Sequence, residues 1–175
     1  MLALTGVLFT SCSDDDDTPE EVNEEEVITT MTITLDPVGG GDSVVFQTRD
    51  EDGDGPNPPV ITAPNLAGNT TYNGSIELLN ETEDPAEDVT EEVEEEDDEH
   101  QFIFEVSGAV DSATATDEDD DGNPVGLSFD LVTSTAGAAT LTVTLRHEPT
   151  KPNDGTLAGA GGETDITATF SFDVQ

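Results

Sequence analysis

Hydrophobic side chains recur at every second position along much of this chain. In VITTMTITL (27–35), Val27, Met31, Ile33 and Leu35 fall on one face and threonines mostly on the other, the period of a half-buried strand. The same alternation returns in SVVFQTR (43–49), SIELL (75–79), QFIFEV (101–106), GLSFDLVT (126–133), TLTVTLRH (140–147) and TDITATFSFDV (164–174). In the last of these, Ile166, Ala168, Phe170, Phe172 and Val174 form an unbroken inward row. Glycine, proline, asparagine and aspartate gather between the runs, where turns need them. Seven or eight short strands joined by polar turns predict an all-β protein, an antiparallel β-sandwich of immunoglobulin-like type. A jelly roll and a small barrel are the alternatives.

One segment departs from this period. EDPAEDVTEEVEEEDDEH (83–100) places Asp84 before Pro85 and continues in strong helix formers, which predicts a short acidic helical connection of one or two turns. Its glutamates repel one another, so the helix is expected to be weak.

Charge changes the picture next. Forty-two acidic residues stand against Arg49, Arg146 and Lys151, a formal net charge of -39. Such a surface repels phosphate backbones, so nucleic acid is excluded as a partner. It attracts cations, and it favours salty surroundings, where its self-repulsion is screened.

The single cysteine, Cys12, can form no internal disulfide and belongs to no CxxC or Cys/His zinc pattern. It follows MLALTGVLFTS, an apolar run about as long as a signal-peptide core and too short to span a bilayer. This stretch resembles the lipobox of bacterial lipoproteins, in which small residues precede a cysteine that is lipidated and becomes the mature N-terminus. Phe9 stands where leucine is usual. No Lys or Arg precedes Arg49, so the basic start of such a leader is expected upstream of Met1. SDDDD (13–17) resembles the acidic signal that carries lipoproteins to the cell surface in Bacteroidota. The resemblance implies a membrane partner reached through a lipid on Cys12, in the outer membrane at the surface or the periplasmic face. The expected organisation is a leader over 1–12, a charge-extended acidic tether over 13–26 and a β-sandwich domain over 27–175.

The body also resembles a group of small uncharacterised acidic lipoproteins of marine flavobacteria. The segments that carry this are EEVITT, NTTYNGSIELLNE, EEVEEEDDEHQF, DGNPVGL, TLTVTLRHEP and GGETDITATFSFDVQ. Such chains sometimes bear a type 1 periplasmic-binding label, which implies alternating strands and helices. No such alternation is present here.

Two acidic loops and two histidines hold the candidate chemistry. Asp50, Asp52 and Asp54 precede Gly55, and Asp117, Asp119 and Asp121 precede Gly122. Alternate carboxylates before a glycine turn are how EF-hand-like loops collect oxygens around Ca²⁺. The twelfth position, which should be a bidentate glutamate, is Ile61 in one loop and Ser128 in the other. The competing reading is an acidic hairpin turn. His100 shares the parity of Phe102, Phe104 and Val106, and His147 that of Leu141, Val143 and Leu145. If their strands are antiparallel neighbours, or face each other across the sandwich, both imidazoles reach the same end of the core. With Glu99 or Glu148 the pair would suit Zn²⁺ or Cu²⁺. The competing reading is that each histidine caps a strand through backbone hydrogen bonds.

No GxSxG elbow, P-loop or dinucleotide glycine motif occurs, and GAGG (159–162) precedes a strand, so it reads as a loop. No enzyme is expected. Asn-X-Ser/Thr sequons begin at Asn69, Asn73 and Asn80, and Asp42-Ser43-Val44 and Asp111-Ser112-Ala113 resemble the O-glycosylation sequence of Bacteroidota. The expectation is a lipid-anchored, non-catalytic binding or structural module of the cell envelope. The alternatives are a divalent-metal-binding surface protein, using Ca²⁺ or a transition metal, and an accessory component of a transport or glycan-utilisation system.

Overall fold

The computed structural model describes residues 26–50, 53 and 56–175, so Cys12, Asp52 and Asp54 lie outside the described residues. Among the described residues, ten strands and two short helices follow in the order β1 (Thr30–Pro37), β2 (Val44–Arg49), β3 (Val60–Thr62), β4 (Thr71–Asn80), β5 (Glu87–Asp88), α1 (Val89–Glu95), β6 (His100–Gly108), β7 (Val110–Ala115), β8 (Ser128–Thr133), β9 (Gly137–His147), α2 (Leu157–Ala160) and β10 (Glu163–Val174). One sheet runs β3-β2-β1-β4-β8-β7, with β5 hydrogen-bonded to β4, and the other runs β10-β9-β6. Every named strand pair is antiparallel. The protein is an all-β, antiparallel sandwich of two packed sheets. An immunoglobulin constant domain divides its strands four and three; here the division is seven and three.

The alternation read from the sequence becomes the core. Met31, Ile33 and Leu35 of β1 are fully buried, and Ile33 stands between Phe46 of β2 and Ile76 of β4 in register. From the second sheet, Leu141, Val143 and Leu145 of β9 and Phe170 of β10 are also fully buried. Each such side chain contributes about 1.5–3 kcal/mol when removed from water. Aromatic rings join the layers. Phe46 lies 5.5 Å from Phe170 and 4.9 Å from Phe172, and Phe104 lies 4.6 Å from Phe129. Gly74 stands opposite Phe129 in register, and the ring covers it so closely that a Cβ there would overlap the aromatic carbons.

The threonines of the outer faces pair across strands: Thr142 with Thr169 at 2.9 Å, Thr144 with Thr167 at 2.8 Å, and Ser107 with Thr140 at 2.7 Å. The three cationic side chains pin the body internally. Arg49 grips Glu81, with Nη2 to Oε1 at 3.1 Å. Arg146 donates to the Gly161 carbonyl at 2.7 Å and also to Gly162 and Thr164. Lys151 pairs with Asp119 at 3.1 Å, both side chains nearly closed to solvent.

Several local expectations change. Val27 is 57% exposed rather than inward, because β1 begins only at Thr30. The helical connection forms, but it begins at Val89 and not at Pro85. Glu87 and Asp88 pair with β4 first, and the Asp88 side chain then accepts from Thr90 N at 3.0 Å as the N-cap. Val89 and Val93, four residues apart, bury the inner face of α1, which packs against β4. The GAGG segment is not all loop, since Gly159 and Ala160 complete the single turn of α2. Strands β3, β5 and β7 had no clear period in the sequence, and β7 is short and mostly half-exposed.

Candidate metal centre

At one end of the sandwich three adjacent strands each present one polar side chain to the space between the sheets. β9 is the central strand of its sheet and ends at His147; His100 opens β6 directly opposite, so the two histidines are a cross-strand pair in register. Their rings stand 4.7 Å apart and nearly perpendicular, at 84°. The parity deduced for each histidine placed both inward, and antiparallel neighbours bring them together.

The third strand contributes Asp165 through an irregularity. Thr164 pairs with Arg146 and Ile166 with Leu145, so Asp165 is an extra residue in the β9–β10 ladder. A bulge lets two consecutive side chains leave on the same side. Ile166 packs against the core while the Asp165 side chain is closed to solvent. Alternation counted back from Ile166 would place Asp165 on the outer face, so the period hid it. Glu26 closes the group from the other sheet, just ahead of β1, where Thr29 N donates to Leu79 O at 3.0 Å. Reading Glu26 as the last tether residue missed this role. It ends a run of three glutamates, and no periodic signal singles it out.

The contacts form a closed box. Glu26 Oε1 lies 3.2 Å from His100 Nε2, and Glu26 Oε2 lies 3.2 Å from His147 Nδ1. Asp165 Oδ2 lies 3.9 Å from His100 Nε2, and its Oδ1 lies 3.8 Å from His147 Nδ1. Side-chain exposure is 0% for His100 and Asp165, 5% for His147 and 8% for Glu26. These four residues offer ligand atoms that all lie within 4.8 Å of one another. Ligands bound at about 2.0–2.1 Å in a tetrahedron stand about 3.3 Å apart, so the box is near the size a small divalent ion requires.

Orientation comes from the helix end. His100 Nδ1 donates to the Glu96 carbonyl at 3.1 Å, beyond the last turn of α1. That bond commits the proton to Nδ1 and turns Nε2 toward the two carboxylates, the outer-sphere arrangement that metal-binding histidines commonly show. Nε2 meets Glu26 as an ionic approach, without the alignment of a hydrogen bond. Burial pushes the His100 pKa down, but the Glu26 carboxylate, the Glu96 carbonyl and Asp165 outweigh it and raise the pKa above the usual histidine value. Burial likewise pushes Glu26 up, yet its hydrogen bonds and the charge on His100 bring it from 4.5 down to about 2. Glu92 of α1 is raised by burial and by repulsion from Glu87, Glu26 and Glu96. Without a metal ion the two carboxylates thus favour the protonated form of His100.

His147 belongs to a second group of this kind, with Glu99 and Glu148, both exposed. These are the acids expected beside the histidine pair. They lie at its outer rim, while Glu26 and Asp165 provide the inner set.

The aspartate loops are built differently. Asp117 accepts from Gly126 N at 2.7 Å and Ser128 N at 3.0 Å. Asp119 is buried and accepts from Asp121 N at 3.1 Å, Asn123 N at 2.7 Å and Asn123 Nδ2 at 3.1 Å, with Lys151 on its other oxygen. Those bonds lower the Asp119 pKa against the opposing effect of burial. Asp121 is exposed. The carboxylates of this loop converge on backbone donors and a lysine rather than on one another. Asp50 stands at the end of β2, its N–H donating to Thr29 O at 2.7 Å. Of the sequons, Asn80 is buried, its side chain bonded to Glu87 and Thr82.

No helix among the described residues is long and apolar enough to cross a membrane. Compared with known proteins, the chain matches no family model, no curated protein and no solved structure.

Proposed function

We propose that this chain is a lipid-anchored cell-envelope protein whose β-sandwich is a non-catalytic binding module, and that what it binds is one divalent transition-metal ion at Glu26, His100, His147 and Asp165. The observation that carries the reading is the convergence of two imidazoles and two carboxylates in a box that is 0–8% exposed. Buried ionic groups are costly unless compensated. A dication held by two neutral imidazoles and two carboxylates leaves the centre neutral. The donor set has two nitrogens, carboxylate oxygens and no thiolate, which suits Zn²⁺, Co²⁺ or Cu²⁺ better than Ca²⁺, which takes six to eight oxygens. The acidic surface draws cations toward the body, and the Cys12 lipobox with its charged tether would hold that body away from the membrane.

The test is metal analysis of the purified full chain, followed by melting with Zn²⁺, Co²⁺, Ca²⁺ or a chelator. The expected result is about one equivalent of transition metal, with a melting temperature raised by Zn²⁺ and Co²⁺ and lowered by the chelator; ligand at a hundred times Kd adds about 2.7 kcal/mol. A melt that none of these additions moves overturns the metal reading. For the anchor, Cys12→Ala should release the protein from membranes, and continued retention overturns lipidation.

A further inference from the structure

We infer that Glu99 and Glu148, with His147, form an outer cation site through which the divalent ion reaches the buried centre. This rests on the metal-centre reading above. Four side chains that are 0–8% exposed leave a hydrated ion no direct approach. His147 is 5% exposed, and the two acids grouped with it, Glu99 and Glu148, are both exposed. The three residues bring ligand atoms within 4.8 Å of one another, and His147 is the residue that this group shares with the inner one.

The imidazole has a nitrogen for each role. Nδ1 is turned toward Glu26 and Asp165, at 3.2 and 3.8 Å. Nε2 is buried and makes no hydrogen bond to any described group, which leaves it for the glutamate side. A buried ring nitrogen without a partner is uncommon, because its desolvation goes uncompensated. The two glutamates are tied to each other by Glu148 N donating to the Glu99 carbonyl at 2.7 Å, and Glu148 holds a left-handed backbone with φ 47°. An ion caught by two solvent-facing carboxylates and one imidazole sheds only part of its water. It can then pass to the drier inner set by exchange of ligands around the shared ring.

The experiment follows Zn²⁺ uptake by the full chain in stopped flow, by competition with a chromophoric chelator, together with equilibrium affinity. Glu99→Gln with Glu148→Gln should slow loading by about tenfold, within the range by which local charge raises on-rates, and leave the affinity of the tight site within about twofold. A second double variant, Asp42→Asn with Glu105→Gln, removes the same charge from exposed positions elsewhere and should load at the wild-type rate. His100→Ala should abolish tight binding and retain a weak site that depends on Glu99 and Glu148. Unchanged loading in the Glu99/Glu148 variant, or slowing equal to that of the control pair, overturns the outer site alone. A wild-type chain that holds no Zn²⁺ tightly overturns the metal centre itself.

Discussion

Glu26→Gln removes the carboxylate that stands 3.2 Å from each imidazole and keeps nearly the same volume. Its effect on the metal-free protein follows from linkage. A carboxylate whose pKa is depressed by folding adds stability above its unfolded pKa and loses it as pH falls through the folded value. For Glu26 the contribution is whole above pH 4.5 and lost as pH falls toward about 2. At about 1.4 kcal/mol per pH unit, the shift from 4.5 to about 2 amounts to about 3 kcal/mol. For a domain of this size that is a drop of about 6–12 °C in melting temperature. His100 acts in the opposite sense: its raised pKa stabilises fully below pH 6.5 and loses that contribution as pH rises through the folded value. The difference between wild type and Glu26→Gln should therefore be greatest between pH 4.5 and 6.5. It should shrink on the acid side toward pH 2, and on the alkaline side as His100 loses its proton. Melts followed by far-UV circular dichroism with chelator present, in steps from pH 2 to 9, measure this difference. Glu105→Gln serves as the control for loss of one negative charge. A difference that stays constant across the range would refute the coupling of Glu26 to His100.

Two further predictions concern the scaffold. Lys151→Met leaves buried Asp119 without its cation and should cost about 3–5 kcal/mol in urea denaturation, part of which Asp119→Asn in the same chain restores. Gly74→Ala drives a methyl into the Phe129 ring, which cannot yield because Phe104 lies 4.6 Å from it; the overpacking should cost about 1–3 kcal/mol in the same assay.

How much of this was legible beforehand depends on whether the signal is local. Side-chain direction in a strand alternates with each residue, so a run such as TLTVTLRH declares both its secondary structure and its inward face. The sandwich and the inward parity of His100 and His147 follow from that rule. Helix α1 was legible from its composition, but its start was not, because Asp84-Pro85 and Asp88-Val89 offer similar local starts. The choice fell to the packing of Val89 and Val93 beside β4. The aspartate loop shows another limit. Its spacing resembles a calcium loop, and only folding brings Lys151 and the backbone donors of Asn123, Gly126 and Ser128 to those carboxylates.

By itself, then, the amino-acid order determined an acidic all-β body with two inward histidines, behind a stretch that resembles a lipoprotein leader. Only the tertiary structure decided that β6 and β9 are neighbours in a register that pairs His100 with His147. It also decided that a bulge turns Asp165 inward and that Glu26 reaches both rings. The physical reason is that periodicity records which way one strand's side chains point. Strand order, register and an extra residue in a ladder depend on chain segments up to 139 positions apart, the separation of Glu26 and Asp165 (165 − 26).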